Sequence, residues 1–160
     1  MKQLLLIISL FVTVFAYTAP VQAASQDECS IWLCLPAGFP SGCGKAHSAM
    51  LKRISHFKSP LPSFSSCAVN PPSGSGSHMT SDDGYAAYIP PRTVCTRYRY
   101  NGRDNRRCVE QETIPEQYIK NTRCTRDRDG RRHPSFCTKT FRWAEVAVDG
   151  QLAGPTYYWN

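Results

Sequence analysis

The sequence has 160 residues, 41% of them hydrophobic, and a formal net charge of +7 from 19 Lys and Arg against 12 Asp and Glu. This length suits one domain or two small subdomains. None of the eight cysteines forms a Cys-x-x-Cys pair, which counts against a zinc site, a thioredoxin-like motif and c-type haem attachment. We therefore predict no cofactor and no metal.

The first 23 residues have the organisation of a cleaved signal peptide. Lys2 supplies the positive n-region, residues 4–17 the apolar run, and Val21-Gln22-Ala23 a small-residue cleavage site. Cleavage after Ala23 leaves 137 residues, and an uncleaved anchor is the alternative. Beyond this segment no stretch is apolar for long enough to cross a bilayer. We expect an exported protein.

All eight cysteines follow the predicted cleavage site. An even number of cysteines in an exported chain predicts a disulfide framework, made with the help of the oxidative folding machinery. With every cysteine bridged, no thiol nucleophile remains. The cysteines are Cys29, Cys34, Cys43, Cys67, Cys95, Cys108, Cys124 and Cys137.

Residues 24–67 are predicted to form a disulfide-stapled helical region. Ser25 and Glu28 have capping-box spacing, which predicts a first helix from about Gln26 to Leu35 that ends at Pro36. Apolar residues go nearly all the way round this helix. It must therefore be buried on most sides or serve as a contact surface.

A second helix is predicted from about Ser41 to Phe57. The simplest arrangement is an antiparallel helical hairpin with nested bridges, Cys34–Cys43 across the turn and Cys29–Cys67 at the far end. Four cysteines allow three pairings, so this pairing is a preference. One apolar stripe supports the second helix: Cys43, Ala46, Met50, Ile54 and Phe57.

Residues 68–84, rich in Pro, Gly and Ser, are predicted to be a linker to a basic β-hairpin region at 85–160. That region is basic: between Arg92 and Arg142 there are 14 basic and 6 acidic side chains. Such a segment attracts nucleic acid, anionic lipid headgroups or an acidic protein, and it is equally typical of an ordinary solvated surface.

The β-hairpin region contains an internal repeat. Cys95-Thr-Arg-Tyr-Arg-Tyr recurs as Cys124-Thr-Arg-Asp-Arg-Asp, and each copy is followed by a cysteine 13 residues after its first. In the first copy, a two-residue Asn101-Gly102 turn would pair Tyr100 with Arg103 and Cys95 with Cys108. The spacing therefore predicts a cross-strand disulfide.

In the second copy, either a Gly130-Arg131 turn or a loop over residues 129–132 places Cys124 opposite Cys137. Between the two hairpins, Thr113 and Glu116 form another capping box, which predicts a short helix to about Asn121. A third hairpin is predicted from Phe141 to Trp159 around Asp149-Gly150. The whole pattern predicts a small, disulfide-rich α+β fold: an N-terminal helical hairpin followed by disulfide-closed β-hairpins.

Two segments of the helical region carry a family resemblance: Trp32-Leu-Cys-Leu-Pro-Ala-Gly-Phe-Pro40 before Cys43, and Ser59-Pro-Leu-Pro-Ser-Phe64 before Cys67. They resemble the TrbM/KikA/MpfK family of plasmid conjugal transfer proteins. The resemblance implies a periplasmic accessory of a conjugative type IV secretion system that contacts other envelope proteins in mating-pair formation or pilus biogenesis. It implies no enzymatic activity and no catalytic residues. The signature positions, which are candidate contacts, are Trp32, Leu33, Leu35, Pro36, Gly38, Phe39, Pro40, Pro60, Leu61, Pro62 and Phe64.

Two other functions remain open. A module that binds single-stranded DNA or an anionic surface would use the basic hairpins. Strand alternation, however, places Tyr98 and Tyr100 opposite Arg97 and Arg99, which favours tyrosines that pack a core behind an arginine face. A peptidoglycan-cleaving enzyme would need a positioned acid, and Glu28 is already explained by helix capping. The candidate anion-binding residues are Arg97, Arg99, Arg106, Arg126 and Arg128.

Overall fold

The computed structural model describes residues 23–68, 78–102 and 105–160. The predicted signal peptide lies almost wholly outside these residues, as does linker segment 69–77. The helices are α1 (Gln26–Cys29), α2 (Ile31–Cys34) and α3 (Gly44–Ser55), with 3-10 turns at Leu35–Ala37 and Phe64–Ser66. The strands are β1 (Met79–Ile89), β2 (Arg92–Tyr100), β3 (Arg106–Ile114), β4 (Gln117–Lys120), β5 (Thr125–Arg126), β6 (Arg132–His133), β7 (Lys139–Val148), β8 (Gln151–Leu152) and β9 (Tyr157–Trp159). Within the described ranges, every helix is too short or too polar to cross a bilayer.

The first predicted helix is present but interrupted. Its capping box is formed, with the Glu28 backbone N–H donating to Ser25 and the Glu28 carboxylate accepting from the Ser25 N–H. The Ser30 hydroxyl donates to the Gln26 carbonyl at 2.9 Å, and the chain starts a new helix, α2, at that point. A 3-10 turn then carries the chain past Pro36, whose missing N–H is no loss in the first turn of a helix.

The second helix, α3, is shorter than predicted. It is capped at its start by Cys43 instead of beginning at Ser41. It ends in a turn in which the Lys58 N–H donates to the Arg53 carbonyl at 3.0 Å, with Phe57 in a left-handed conformation at φ 58°. The predicted apolar stripe is only partly inside: Ala46 and Met50 are buried, and Phe57 is fully exposed.

A five-stranded antiparallel sheet forms the second layer. Its order is β4-β1-β7-β8, with β9 also paired to β7. The predicted turn at Asp149-Gly150 is confirmed, because Val148 pairs directly with Gln151 and both turn residues have positive φ. Trp143 and Val146 of β7 are buried in this sheet.

The helices and the sheet share one core. Ala144 and Val146 of β7 lie among buried residues from the helical region, so the two predicted regions pack together. The predicted linker is too long, since β1 begins at Met79. Residues 79–84 pair with β7 through backbone bonds, which their polar side chains do not prevent. The shared core contains Ile31, Trp32, Cys34, Leu35, Ala46, Met50, Leu61, Ala144 and Val146.

The helix predicted from Thr113 to Asn121 is wrong. β3 continues to Ile114, and β4 pairs along β1 with Tyr118 opposite Tyr88. The Tyr118 ring stacks on Tyr158 at 4.0 Å between centroids. Pairing with β1 and aromatic packing on the sheet therefore outweigh the local capping signal.

All four predicted disulfides are present, and no cysteine is free. This framework indicates an oxidising, extracytoplasmic environment. The bridges, with their Cα–Cα distances, are Cys29–Cys67 (5.4 Å), Cys34–Cys43 (5.8 Å), Cys95–Cys108 (5.8 Å) and Cys124–Cys137 (5.7 Å).

The predicted registers of the two repeated hairpins are wrong. Tyr100 pairs with Arg106, not with Arg103, because the turn is longer than two residues. Cys108 therefore pairs with Tyr98, and irregularities in the ladder between Cys95 and Tyr98 accompany the disulfide.

In the second hairpin, Arg126 pairs with Arg132 across a loop over residues 127–131. Neither predicted turn forms, because the Asp127 N–H donates to the Arg131 carbonyl and the Asp127 carboxylate accepts from the Arg131 N–H. Cys137 lies beyond the short ladder, where its N–H donates to the Pro134 carbonyl.

Candidate interaction surfaces

Among the described strands, β2 and β3 pair with each other and with no third strand, and they form a two-stranded ribbon, which we call the arm (residues 92–114). Each strand has nine residues and is about 30 Å long. From Thr96 to Tyr100 on β2, and from Val109 to Thr113 on β3, every residue is exposed. Since neighbouring residues point to opposite faces, both faces of the arm are open to solvent.

One face of the arm combines aromatic rings with a guanidinium group. The Arg106 guanidinium lies 3.5 Å from the centroid of the Tyr98 ring. Hydrogen bonding to Tyr98 raises the pKa of Arg106, and Tyr100 adds to the effect. Tyr98 is 38% exposed and Tyr100 is 67% exposed. The predicted packing of these tyrosines in a core is therefore wrong.

The other face of the arm carries arginines in two different settings. Arg97 forms an exposed ion pair with Glu110 at 3.1 Å. Nearer the turn, Arg99 lies directly opposite Arg107, so two like charges face each other across the ladder. Among the described residues, Arg97 is therefore compensated by Glu110, whereas Arg99 and Arg107 form no ion pair.

The five predicted anion-binding residues are divided between two places. Arg97, Arg99 and Arg106 lie in the arm, whereas Arg126 and Arg128 lie on or beside the β5–β6 hairpin. All five are exposed. The sequence repeat therefore does not create one continuous arginine stripe on one ribbon.

One contact joins the base of the arm to the segment before Cys137, and another lies within the second hairpin. The Arg92 guanidinium lies 4.2 Å from the centroid of the Phe136 ring, which ties the base of the arm to the segment before Cys137. In the β5–β6 loop, the His133 ring lies 3.1 Å from the Asp127 carboxylate. That hydrogen bond lowers the pKa of Asp127.

Most of the predicted signature residues are buried or partly buried. The Trp32 ring is buried and lies edge-on to Phe64 at 5.3 Å between centroids. Phe39 is partly buried against His47 and Tyr157. Buried residues of the signature are Trp32, Leu35, Pro60, Leu61 and Pro62; partly buried are Pro36, Phe39 and Phe64; exposed are Leu33, Gly38 and Pro40.

Two exposed apolar side chains stand out in the helical region. Leu33 is 79% exposed within the signature segment, although its neighbours on α2 are buried. Phe57 is 100% exposed and also has a left-handed backbone, a conformation that favours glycine or asparagine. Sequence reasoning placed Phe57 in the core stripe, because the helical period was extended past the last α-helical residue.

The outer face of the sheet carries a cluster of four aromatic rings that the sequence did not predict. Tyr88, Tyr118, Phe141 and Tyr158 come from four strands, and Tyr118 contacts the other three rings at 4.0–5.4 Å between centroids. Burial raises the pKa of Tyr118, and a hydrogen bond to Glu116 raises that of Tyr88. The rings cover the buried Ala86 and Trp143 on the same face.

The Glu28 carboxylate forms an ion pair with Arg53. It accepts a hydrogen bond from Arg53 at 2.8 Å and one from the Ser25 N–H at 3.0 Å. The backbone hydrogen bond from Ser25, followed by Arg53, lowers the pKa of Glu28 from 4.5 to about 2. A proton-donating acid needs a raised pKa, so this geometry suits helix docking.

An open groove of about 710 Å³ runs beside the Arg53–Glu28 pair, lined also by Lys45, Lys52 and His56. In the part of the chain that the structure describes, no three His, Cys, Asp or Glu side chains lie close enough to share a metal ion.

Comparison with family models, curated proteins and solved structures gave no match to this chain.

Proposed function

We propose that this protein is an exported, periplasmic accessory factor of a conjugative type IV secretion system and acts through protein–protein contacts. Phe57 is the observation that carries the contact role. A fully exposed phenylalanine loses its hydrophobic stabilisation, and its left-handed backbone adds steric cost. Both the exposure and the backbone conformation of Phe57 cost free energy in the free protein. A partner that covers the ring would recover the cost of its exposure.

Leu33 supports the same proposal. It belongs to the signature segment Trp32–Pro40, and it is the large apolar side chain there that faces solvent. Core packing accounts for Trp32 and Leu35 of the same segment, which are buried. The link to conjugation comes from the resemblance of this segment and of Ser59–Phe64 to conjugal transfer proteins.

The test uses a donor cell that carries the complete transfer system. We expect Leu33→Ser and Phe57→Asn each to lower transfer frequency about tenfold or more, the size expected for a central contact residue. Protein level and disulfide content should stay unchanged, since both side chains are exposed. Leu51→Ser on α3, which removes an apolar side chain that is 45% exposed, is the matched control.

A photocrosslinking amino acid at position 33 or 57 identifies the partner. Capture of the same secretion-channel or pilus subunit from both positions supports the proposal. Normal transfer by both variants, with no crosslinked partner in cells that assemble the complete system, contradicts it.

A further inference from the structure

We infer that the distal arm (residues 96–102 and 105–109) is a binding site for single-stranded nucleic acid. In this arrangement, Tyr98 and Tyr100 stack on bases at one face of the ribbon, and the long side chains of Arg99 and Arg107 reach the phosphates around its edge from the other face. The site is separate from Leu33 and Phe57, so it goes beyond the proposed function. Three observations carry the inference: exposure, uncompensated charge, and the placement of rings beside a guanidinium group.

The distal arm has little structural role of its own. Tyr100 is 67% exposed, and both strands of the arm, β2 and β3, are open to solvent on their two faces. A two-stranded ribbon without a core is marginally stable in water, and this ribbon is closed by Cys95–Cys108. Large rings that pack no core are available to a ligand.

The charge of the distal arm is unfavourable in the free protein. Like charges directly opposite each other destabilise a sheet, and Arg99 lies opposite Arg107. From Thr96 to Cys108 the sequence contains five arginines and one aspartate. A polyanion would convert this repulsion into binding, because phosphates can lie between the guanidinium groups.

The rings favour nucleic acid over other polyanions. Tyr98 and Tyr100 lie on one face, about 7 Å apart along the strand, with the Arg106 guanidinium stacked over one side of the Tyr98 ring. Successive bases of a single strand stack on such rows of aromatic side chains while cations follow the backbone. A duplex keeps its base faces stacked and hidden. A lipid-inserting tip needs apolar residues, and the described tip residues are Asn101, Gly102 and Asn105.

The test measures fluorescence anisotropy of a labelled oligothymidine with the oxidised, signal-free protein over a series of salt concentrations. We expect binding whose log K falls with log salt with a slope of about −2, from about −0.7 for each of three phosphate contacts. R99A/R107A should reduce the size of that slope by about 1.4. Y98A/Y100A should weaken binding about tenfold or more with the slope unchanged.

The matched control is R126A/R128A, which removes the same charge from the β5–β6 hairpin. Its affinity and slope should stay close to those of the unaltered protein. Equal losses in the two double-arginine variants would show diffuse charge attraction and overturn the inference. Disulfide mass analysis and circular dichroism verify that each variant is folded.

Two further probes separate the alternatives. A duplex of the same length should bind more weakly than the single strand, and its stronger binding would contradict base stacking. Vesicles that contain phosphatidylglycerol test a lipid surface. Vesicle binding that depends on Tyr98 and Tyr100, without oligothymidine binding, would replace the nucleic-acid inference with a membrane site.

Discussion

The body of the protein (the helices and the five-stranded sheet) and the arm both contain disulfides, but different forces hold them. In the body, Cys29–Cys67 and Cys34–Cys43 lie beside a core in which Ile31 and Met50 are completely buried. In the arm, Cys95–Cys108 closes a ribbon that is exposed on both faces. The bridge in the arm substitutes for a core, whereas the bridges in the body reinforce one.

The body and the arm also differ in how their charged and apolar side chains are placed. In the body, ion pairs join Glu28 to Arg53, Lys120 to Glu145 and Arg142 to Asp83. The arm leaves Arg99 opposite Arg107 and exposes Tyr100. Unfavourable features of the free protein concentrate at binding surfaces, so the arm and the exposed residues Leu33 and Phe57 are where function is best sought.

The largest expected effect comes from removing disulfides in the two regions. Cys29→Ser with Cys67→Ser should lower the free energy of unfolding by about 4 kcal/mol, because this bridge closes the longest loop. Cys95→Ser with Cys108→Ser should leave the Tm of the body unchanged and increase hydrogen exchange in the arm. Calorimetry and hydrogen exchange measure these two effects. An equal fall in Tm for both variants would show that the arm folds with the body.

Two leucines in consecutive turns of the chain sharpen the contrast between buried and exposed positions. Leu35→Ala should destabilise the body by about 2–5 kcal/mol, since the side chain is 1% exposed. Leu33→Ala should change stability by less than about 0.5 kcal/mol, since that side chain is exposed. Urea denaturation compares the two variants. A large loss for Leu33→Ala would place it in the fold instead of at a contact.

The ion pairs of the two regions should differ in pH dependence. The folded pKa of Glu28 is lowered from 4.5 to about 2, so its stabilisation is present above pH 4.5 and is lost as pH falls toward 2. Glu28→Gln should therefore destabilise the protein at neutral pH and become equal to the unaltered protein near pH 2. Urea denaturation over this pH range is the measurement.

The matched control for this experiment is Glu110→Gln, which breaks the exposed pair with Arg97 in the arm. Exposed pairs contribute about 0–1 kcal/mol, so its effect on unfolding should be small at every pH. If the two variants behave alike, the Glu28–Arg53 contact is no stronger than a surface pair.

A small stabilisation is expected from a change at Phe57. Phe57→Gly should raise the free energy of unfolding by up to about 1 kcal/mol, because glycine adopts a left-handed backbone without steric cost. Tyr100→Ala in the arm, also exposed, should be neutral within about 0.5 kcal/mol. Chemical denaturation distinguishes these outcomes. A destabilised Phe57→Gly protein would mean that the ring contributes to folding after all.

Local chemistry was sufficient to predict several parts of the fold. The capping box at Ser25 and Glu28 and the Asp149-Gly150 turn depend on residues close in sequence, and both are confirmed. Cysteine spacing predicted Cys95–Cys108 and Cys124–Cys137, and the pairing present in the helical region is the one preferred among the three possible. The capping box, the Asp149-Gly150 turn and the two hairpin disulfides join residues that are close in sequence, so few alternative geometries compete.

The wrong predictions arise where pairing with a distant strand outweighs the local preference of a segment. The capping box at Thr113 and Glu116 is present in sequence, but pairing of β4 with β1 prevails. Residues 79–84 have the composition of a linker, and their backbone joins β7. In each case an interaction with a distant strand contributes more than the local preference of the segment.

The candidate site shows the same division. The sequence identified the arginines and tyrosines of the arm, and strand alternation placed them on opposite faces. It could not place Arg106 over Tyr98, because that contact depends on the register of two strands, and the register depends on the length and shape of the turn. Composition and short-range spacing thus determine which chemistry the arm carries, whereas long-range strand pairing and packing determine which groups meet and which face solvent.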